Sequence, residues 1–214
     1  MEQQIDLQQL ERKVWMSFFE DGLWDIYLGM LLMAMAVGAL LSDTGAPESI
    51  LIITYGCLVG AAFVFLLLGK RFITIPRLGF VHFGPEAKAR KKKTSIIFAV
   101  SVLVGLIVFL MFVPTVKESL FKIIPVDIIF PAIWVANMLI VFSLAAYFLR
   151  YHRLYLIGVM FAICIPLDIL LKELTNQDLT FIAFGFPALV ILVMGGVVLG
   201  RFLRKYSKPT AEVS

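Results

Sequence analysis

Charge is what this sequence has least of. Asp, Glu, Lys and Arg make up 16% of its 214 residues, while 61% are hydrophobic; water-soluble domains carry about 25% charged and about 45–50% apolar residues. A 24.0 kDa chain with a mean hydropathy of +0.96 cannot hide so much apolar surface in a water-soluble globule, so lipid must form part of its solvent. The same numbers exclude a disordered polymer. Cysteine is also scarce. Cys57 and Cys164 each lie inside an apolar run, outside any Cys-x-x-Cys pair; both read as small buried hydrophobes, and a disulfide scaffold is excluded. The two histidines, His82 and His152, belong to no HxxxH or HExxH pattern, so no metal centre is expected. Glycine-rich phosphate loops and nucleophile elbows are missing too, and no cofactor is expected. The net charge of +4 and pI near 9.1 do not imply nucleic acid, because Lys and Arg of membrane proteins collect on cytoplasmic loops.

Long apolar runs are what the sequence does have. A helix needs roughly 20 mostly apolar residues to cross about 30 Å of hydrocarbon. Six stretches qualify: Leu23–Leu41, Ser49–Leu68, Thr94–Val113, Val126–Leu149, Leu154–Leu171 and Thr180–Gly200. None alternates with period two, so a β-barrel is excluded. The expected fold is an all-α integral membrane protein with six transmembrane helices. Sixteen Lys and Arg fall on one side of this arrangement, in the N-terminal arm, the loop 69–93, the loop 150–153 and the tail 201–214. The other side holds only Lys117, Lys122 and Lys172. This bias predicts a plasma-membrane protein with both termini cytoplasmic. Glu2, Asp6 and Glu11 precede the first span without a basic n-region, so an uncleaved anchor is expected rather than a signal peptide.

Outside the lipid, residues 1–22 are expected to form an amphipathic helix on the cytoplasmic surface. Leu7, Leu10, Val14 and Phe18 recur at helical spacing opposite Gln8, Glu11 and Arg12. Gly22 marks a bend into the first span. The first two spans then occupy 23–68 and the remaining four 94–200, with a mobile tail over 201–214. Between the two groups, the basic loop 69–93 contains Phe72-Ile73-Thr74-Ile75 and Phe80-Val81-His82-Phe83, joined by Pro76-Arg77-Leu78-Gly79. Two β-prone runs around a Pro/Gly turn predict a small β-hairpin.

Four groups of residues are candidates for function. Glu20, Asp21 and Asp25 form an acidic cluster at the mouth of the first span. Asp25 shares a face with Gly29, Leu32, Ala36 and Ala39, and a face of small residues is where helices touch. Asp25 therefore points into the bundle, where ionisable groups are functional candidates; the structural alternative is pairing with a loop arginine such as Arg77 or with the helix dipole. Asn137 lies near the middle of the fourth span, where an amide must face protein and can serve as interhelical glue or as part of a transport path. Asp168 lies near the end of the fifth span with Lys172 as its i+4 partner, and Pro166 just before it frees local backbone. Lys88, Arg90, Lys91, Lys92 and Lys93 can attract anionic lipid headgroups at about 1 kcal/mol each, besides setting topology. Gly56-xxx-Gly60 and Gly196-xxx-Gly200 are small-xxx-small motifs suited to packing within the bundle or to a homodimer seam.

Asp21-Gly22-Leu23-Trp24-Asp25 with Gly29, followed by Ile75-Pro76-Arg77-Leu78-Gly79, resembles a pattern of uncharacterised small multi-pass membrane proteins of prokaryotes. The resemblance covers these two stretches and the general layout. It implies no activity, but it does imply that the acidic entry and the Pro-Arg turn lie together in space.

The span interiors hold so few polar groups that the leading expectation is a non-enzymatic scaffold or accessory protein. It would bind a membrane-protein partner, a second copy or anionic lipid at its cytoplasmic face. A small transporter or ion-permeation protein using Asp25, Asn137 and Asp168 is the rival. A lipid-modifying enzyme using Asp21, Asp25 and Arg77 is third.

Overall fold

The computed structural model describes residues 21–78, 92–93, 95–103 and 126–206, and every regular element among them is helical. Helix α1 covers Leu23–Asp43 and α2 Glu48–Gly69; a π-helical segment over Lys70–Thr74 leads into α3, Ile75–Leu78. Helix α4 covers residues 95–103. Helices α5, Val126–Leu149, α6, Arg153–Thr175, and α7, Thr180–Lys205, follow. Five helices are long and apolar enough to cross a membrane: Leu23–Asp43, Glu48–Arg77, Ile129–Leu149, Arg153–Thr175 and Thr180–Lys205. That supports a membrane protein.

Three expectations change. Five spans are found among the described residues where six are expected, because Thr94–Val113 is described only over 95–103, where it is helical. The first strand of the expected hairpin is instead helix: Phe72–Ile75 lies in the π segment and at the start of α3. β-Branched residues prefer strands only where a sheet exists to receive them. Here the preceding helix runs on through them as far as Arg77, and Pro76, which has no N–H to give, stands just after the π segment and one residue before that end. The second expected strand, 80–83, and the surface helix over 1–20 lie outside the described residues. Third, the expected tail begins as helix, since α7 continues to Lys205.

The chain divides into two compact units, Met1–Ala87 with Asp178–Ser214, and Lys88–Gln177. In the first unit α1 packs on both α2 and α7. A Cβ on Gly29 would stand 2.9 Å from Leu192 Cγ, and one on Gly195 would stand 2.8 Å from Ile26 Cγ1 and 2.9 Å from its N. Gly22, at φ +76, leaves a would-be Cβ 2.6 Å from Gly195 O. Glycine is required there twice over, by the left-handed backbone and by the space. The pairing of Gly22 and Asp25 with Gly195, and of Gly29 with Leu192, makes α1 and α7 antiparallel. Without water to expel, such a contact gains its strength from close van der Waals approach, which small residues permit. Leu23 of α1 similarly fills the space above Gly69 at the end of α2. The starts of α1 and the ends of α2 and α7 thus meet at one end of this unit.

By contrast, a Cβ on Gly56, Gly60, Gly196 or Gly200 would touch nothing among the described residues. The small-xxx-small motifs are therefore not where α1, α2 and α7 pack on one another. The outward side of α2 is apolar and bare, with Ile52 71% and Ile53 64% exposed, as expected of a face turned to lipid.

In the second unit α5 and α6 form a helical hairpin. Arg150 adopts φ 55, Tyr151 N–H bonds to Ala146 O at 3.0 Å, and Arg150 N–H bonds to Tyr147 O at 3.4 Å. That is a Schellman close of α5, and its shortness forces α6 to return alongside. Gly158 admits Phe142, whose ring lies 5.1 Å from that of Phe161. The Trp134 indole N–H donates to Phe161 O at 3.0 Å.

Candidate functional site: a buried ion pair where three helix ends meet

Asp21 stands two residues before α1 proper and is fully buried. Its Oδ1 accepts the Leu23 N–H at 3.1 Å, so it satisfies one of the four N–H groups left open by a helix start. Its Oδ2 accepts from Lys70 Nζ at 2.5 Å and from Thr74 Oγ1 at 2.6 Å. The Lys70 side chain is only 12% exposed and Thr74 is buried. Lys70 and Thr74 bound the π segment, where the Ile75 N–H reaches back five residues to Lys70 O. This wider turn carries both donors to the same carboxylate oxygen, and π-bulges are frequent at such functional positions.

A buried carboxylate is tolerated only when paired and hydrogen-bonded. Asp21 meets both conditions, with three hydrogen bonds among its roughly four acceptor positions. Asp25, one turn on, is equally buried and adds a second negative charge within reach of the Lys70 ammonium. Its Cβ lies 3.0 Å from where a Gly195 Cβ would be, so it faces α7. Arg77 completes the end. Its Nε donates to Tyr206 O and its Nη1 to Ile73 O, each at 3.0 Å. Tyr206 is the C-cap of α7, so the guanidinium occupies an open carbonyl at the negative end of that helix dipole.

The acidic entry and the Pro-Arg turn thus lie at the same end, but their pairing differs from the expected one. Lys70, not Arg77, meets the acid, and Arg77 serves backbone carbonyls. Lys70 and Thr74 are the residues that sequence reasoning passes over, since both fall inside the supposed loop and strand. A register continued from Leu66 through Lys70 to Thr74 at steps of four would have placed them on one helical face.

The remaining candidates are scattered. Glu20, Lys88, Arg90 and Lys91 lie outside the described residues. Lys92 is exposed, and Lys93 Nζ lies 5.7 Å from the Phe148 ring centroid. Asn137 Oδ1 accepts from Ser101 Oγ at 3.3 Å. Asp168 Oδ2 lies 3.7 Å from Lys172 Nζ in an i,i+4 pair, while its buried Oδ1 has no hydrogen-bond partner among the described residues. Among the described residues no three His, Cys, Asp or Glu side chains are grouped to hold a metal. No protein-family model, curated protein or solved structure matches the chain.

Proposed function

We propose that the chain is a non-enzymatic scaffold or accessory protein of the plasma membrane. In this reading it has six spans and both termini in the cytoplasm, and its basic cytoplasmic face binds a membrane-protein partner or anionic lipid headgroups. One observation carries the reading: two members of the candidate cytoplasmic cluster, Asp21 and Arg77, are consumed by structure. Asp21 is held by Leu23, Lys70 and Thr74, and Arg77 is held by two backbone carbonyls. A transport site must release and rebind its ligand in each cycle, so it keeps charged groups facing a water-filled path. Groups locked to one another instead stiffen the end of the unit and make it a fixed platform. The Lys and Arg of the neighbouring stretches of sequence would supply the attraction to acidic lipid or an acidic partner.

Gentle-detergent purification from native membranes, with proteins and lipids read together by mass spectrometry, tests this. A stoichiometric membrane-protein partner, or enrichment of anionic over zwitterionic lipid that falls on neutralising Lys91, Lys92 and Lys93, is the expected result. Ion or solute flux in proteoliposomes that disappears with Asp25→Asn, while the variant still folds, overturns it in favour of transport. A C-terminal reporter found outside the cell overturns the orientation.

A further inference from the structure

The second unit contains a feature that the proposed function does not use. Helices α4 and α5 enclose a groove of about 380 Å³, within the range of about 300–1,000 Å³ typical of small-molecule sites. Ile97, Val100, Ile133 and Ile140 are among its apolar walls, and its two polar side chains are Ser101 and Asn137. Ser101 occupies the carbonyl oxygen of the Asn137 amide. The amide nitrogen, with two N–H donors, makes no hydrogen bond among the described residues.

Depth decides what those donors can meet. Asn137 stands 12 residues before Leu149, where α5 ends, and 11 after Val126, where the apolar run begins, so it lies about 16–18 Å from each. There an amide has no water to satisfy it. The ester carbonyls of a phospholipid stay at the headgroup level, about 15 Å from the centre of a 30 Å core, and cannot reach it. A second copy fits poorly as well. A two-fold contact sets the same surface against itself, so a concave groove would meet a groove and enlarge the void. What fits is a molecule dissolved in the bilayer interior that carries one acceptor on an apolar body.

We infer that this groove binds a membrane-dissolved apolar carbonyl compound, such as a long-chain ketone or a quinone-like ring. Its oxygen accepts from Asn137 Nδ2, and its hydrocarbon lies along α4 and α5. Ser101 is a positioning residue. By engaging Oδ1, it turns the donor side of the amide toward the ligand.

Photolabelling of the full chain in phosphatidylcholine–phosphatidylglycerol nanodiscs tests the site. The probes are a medium-chain internal ketone bearing a terminal diazirine and the matching alkane diazirine. One hydrogen bond should make the ketone label the peptides covering 95–103 and 133–144 roughly two- to ten-fold more than the alkane does. Asn137→Leu, close in size, should remove that excess and leave alkane labelling unchanged. Ser101→Ala should shrink the excess without abolishing it, because the amide then loses the bond that holds its donor side toward the ligand, and Ile140→Trp should reduce both labels by filling the groove. If Asn137→Leu does not remain monodisperse, competition decides: unlabelled ketone should displace the ketone probe and unlabelled alkane should not. Equal labelling by the two probes in the wild type overturns the inference, as does an excess that survives Asn137→Leu. A cross-linked dimer lost with Asn137→Leu, without any ketone preference, assigns the amide to a second copy and overturns it too.

Discussion

Removing the cation from the buried pair should be far more damaging than removing both charges. In Lys70→Met the aliphatic stem is roughly preserved, but the Asp21 carboxylate stays fully buried with only Leu23 N–H and Thr74 Oγ1 as partners. Breaking a buried pair on one side costs about 3–5 kcal/mol, a shift of roughly 10²- to 10³-fold or more in the unfolding equilibrium. Asp21→Asn combined with Lys70→Met should lie within about 1 kcal/mol of the wild type, because replacing both ions together is often neutral. The asparagine keeps an oxygen for Leu23 N–H, and the Thr74 hydroxyl can rotate to accept from the new amide. Equilibrium unfolding in mixed micelles, followed by circular dichroism and tryptophan fluorescence, gives the full double-mutant cycle. A coupling of at least about 2 kcal/mol is expected from these magnitudes. If Lys70→Met costs less than about 1 kcal/mol, or if the two changes simply add, the pair is not what fixes this end of the unit, and the reasoning fails.

Two further expectations follow from the packing. Gly22→Ala should cost about 2–5 kcal/mol, combining the left-handed backbone with overpacking against Gly195 O, whereas Gly38→Ala and Gly56→Ala, which meet open space, should be neutral or stabilise by up to about 1 kcal/mol; the same unfolding assay ranks them. Arg77→Lys supplies a compact ammonium in place of a planar fork and cannot reproduce both carbonyl bonds. Amide exchange over residues 203–206 should then quicken about tenfold, as the end of α7 frays, without acceleration in the middle of that helix.

The legible part of the fold was whatever hydrophobicity alone determines. The end of α5 at Leu149 coincides with the end of the apolar run, because polar residues are costly within the hydrocarbon and so mark where it stops. Helix ends beyond the hydrocarbon were less legible. α6 continues to Thr175 and α7 to Lys205, since Lys and Arg prolong a helix readily once their charges can reach water. Phe72–Ile75 misled for a different reason. Its local preference for strand was outweighed by bonds made across 49 and 53 residues of sequence, from Lys70 and Thr74 to Asp21, and no local window contains that information. The acidic face of α1 was visible as small-and-acidic periodicity: Asp25, Gly29, Leu32 and Ala36 are buried, while Ala39 on the same face is only half-buried. The choice between packing glycines was not visible. Gly195 meets α1 while Gly196 beside it meets nothing, a distinction set by helix rotation rather than by spacing.

The first unit joins Met1–Ala87 to Asp178–Ser214, with the whole of the second unit inserted between them. During synthesis its pieces therefore emerge far apart in time. Asp25 and Gly29 enter the bilayer with α1, yet the helix that supplies Gly195 and Leu192 to cover them leaves the ribosome only after α2, α5 and α6. Until then, a buried acid and a glycine notch stand open to whatever surrounds them. The Asp21–Lys70 pair is available much earlier, as soon as α2 and its extension have followed α1. The nascent hairpin can thus be latched at its charged end while its α7-facing side waits. The same order means that a chain stopped before Thr180 would leave Asp25 without the helix that covers it.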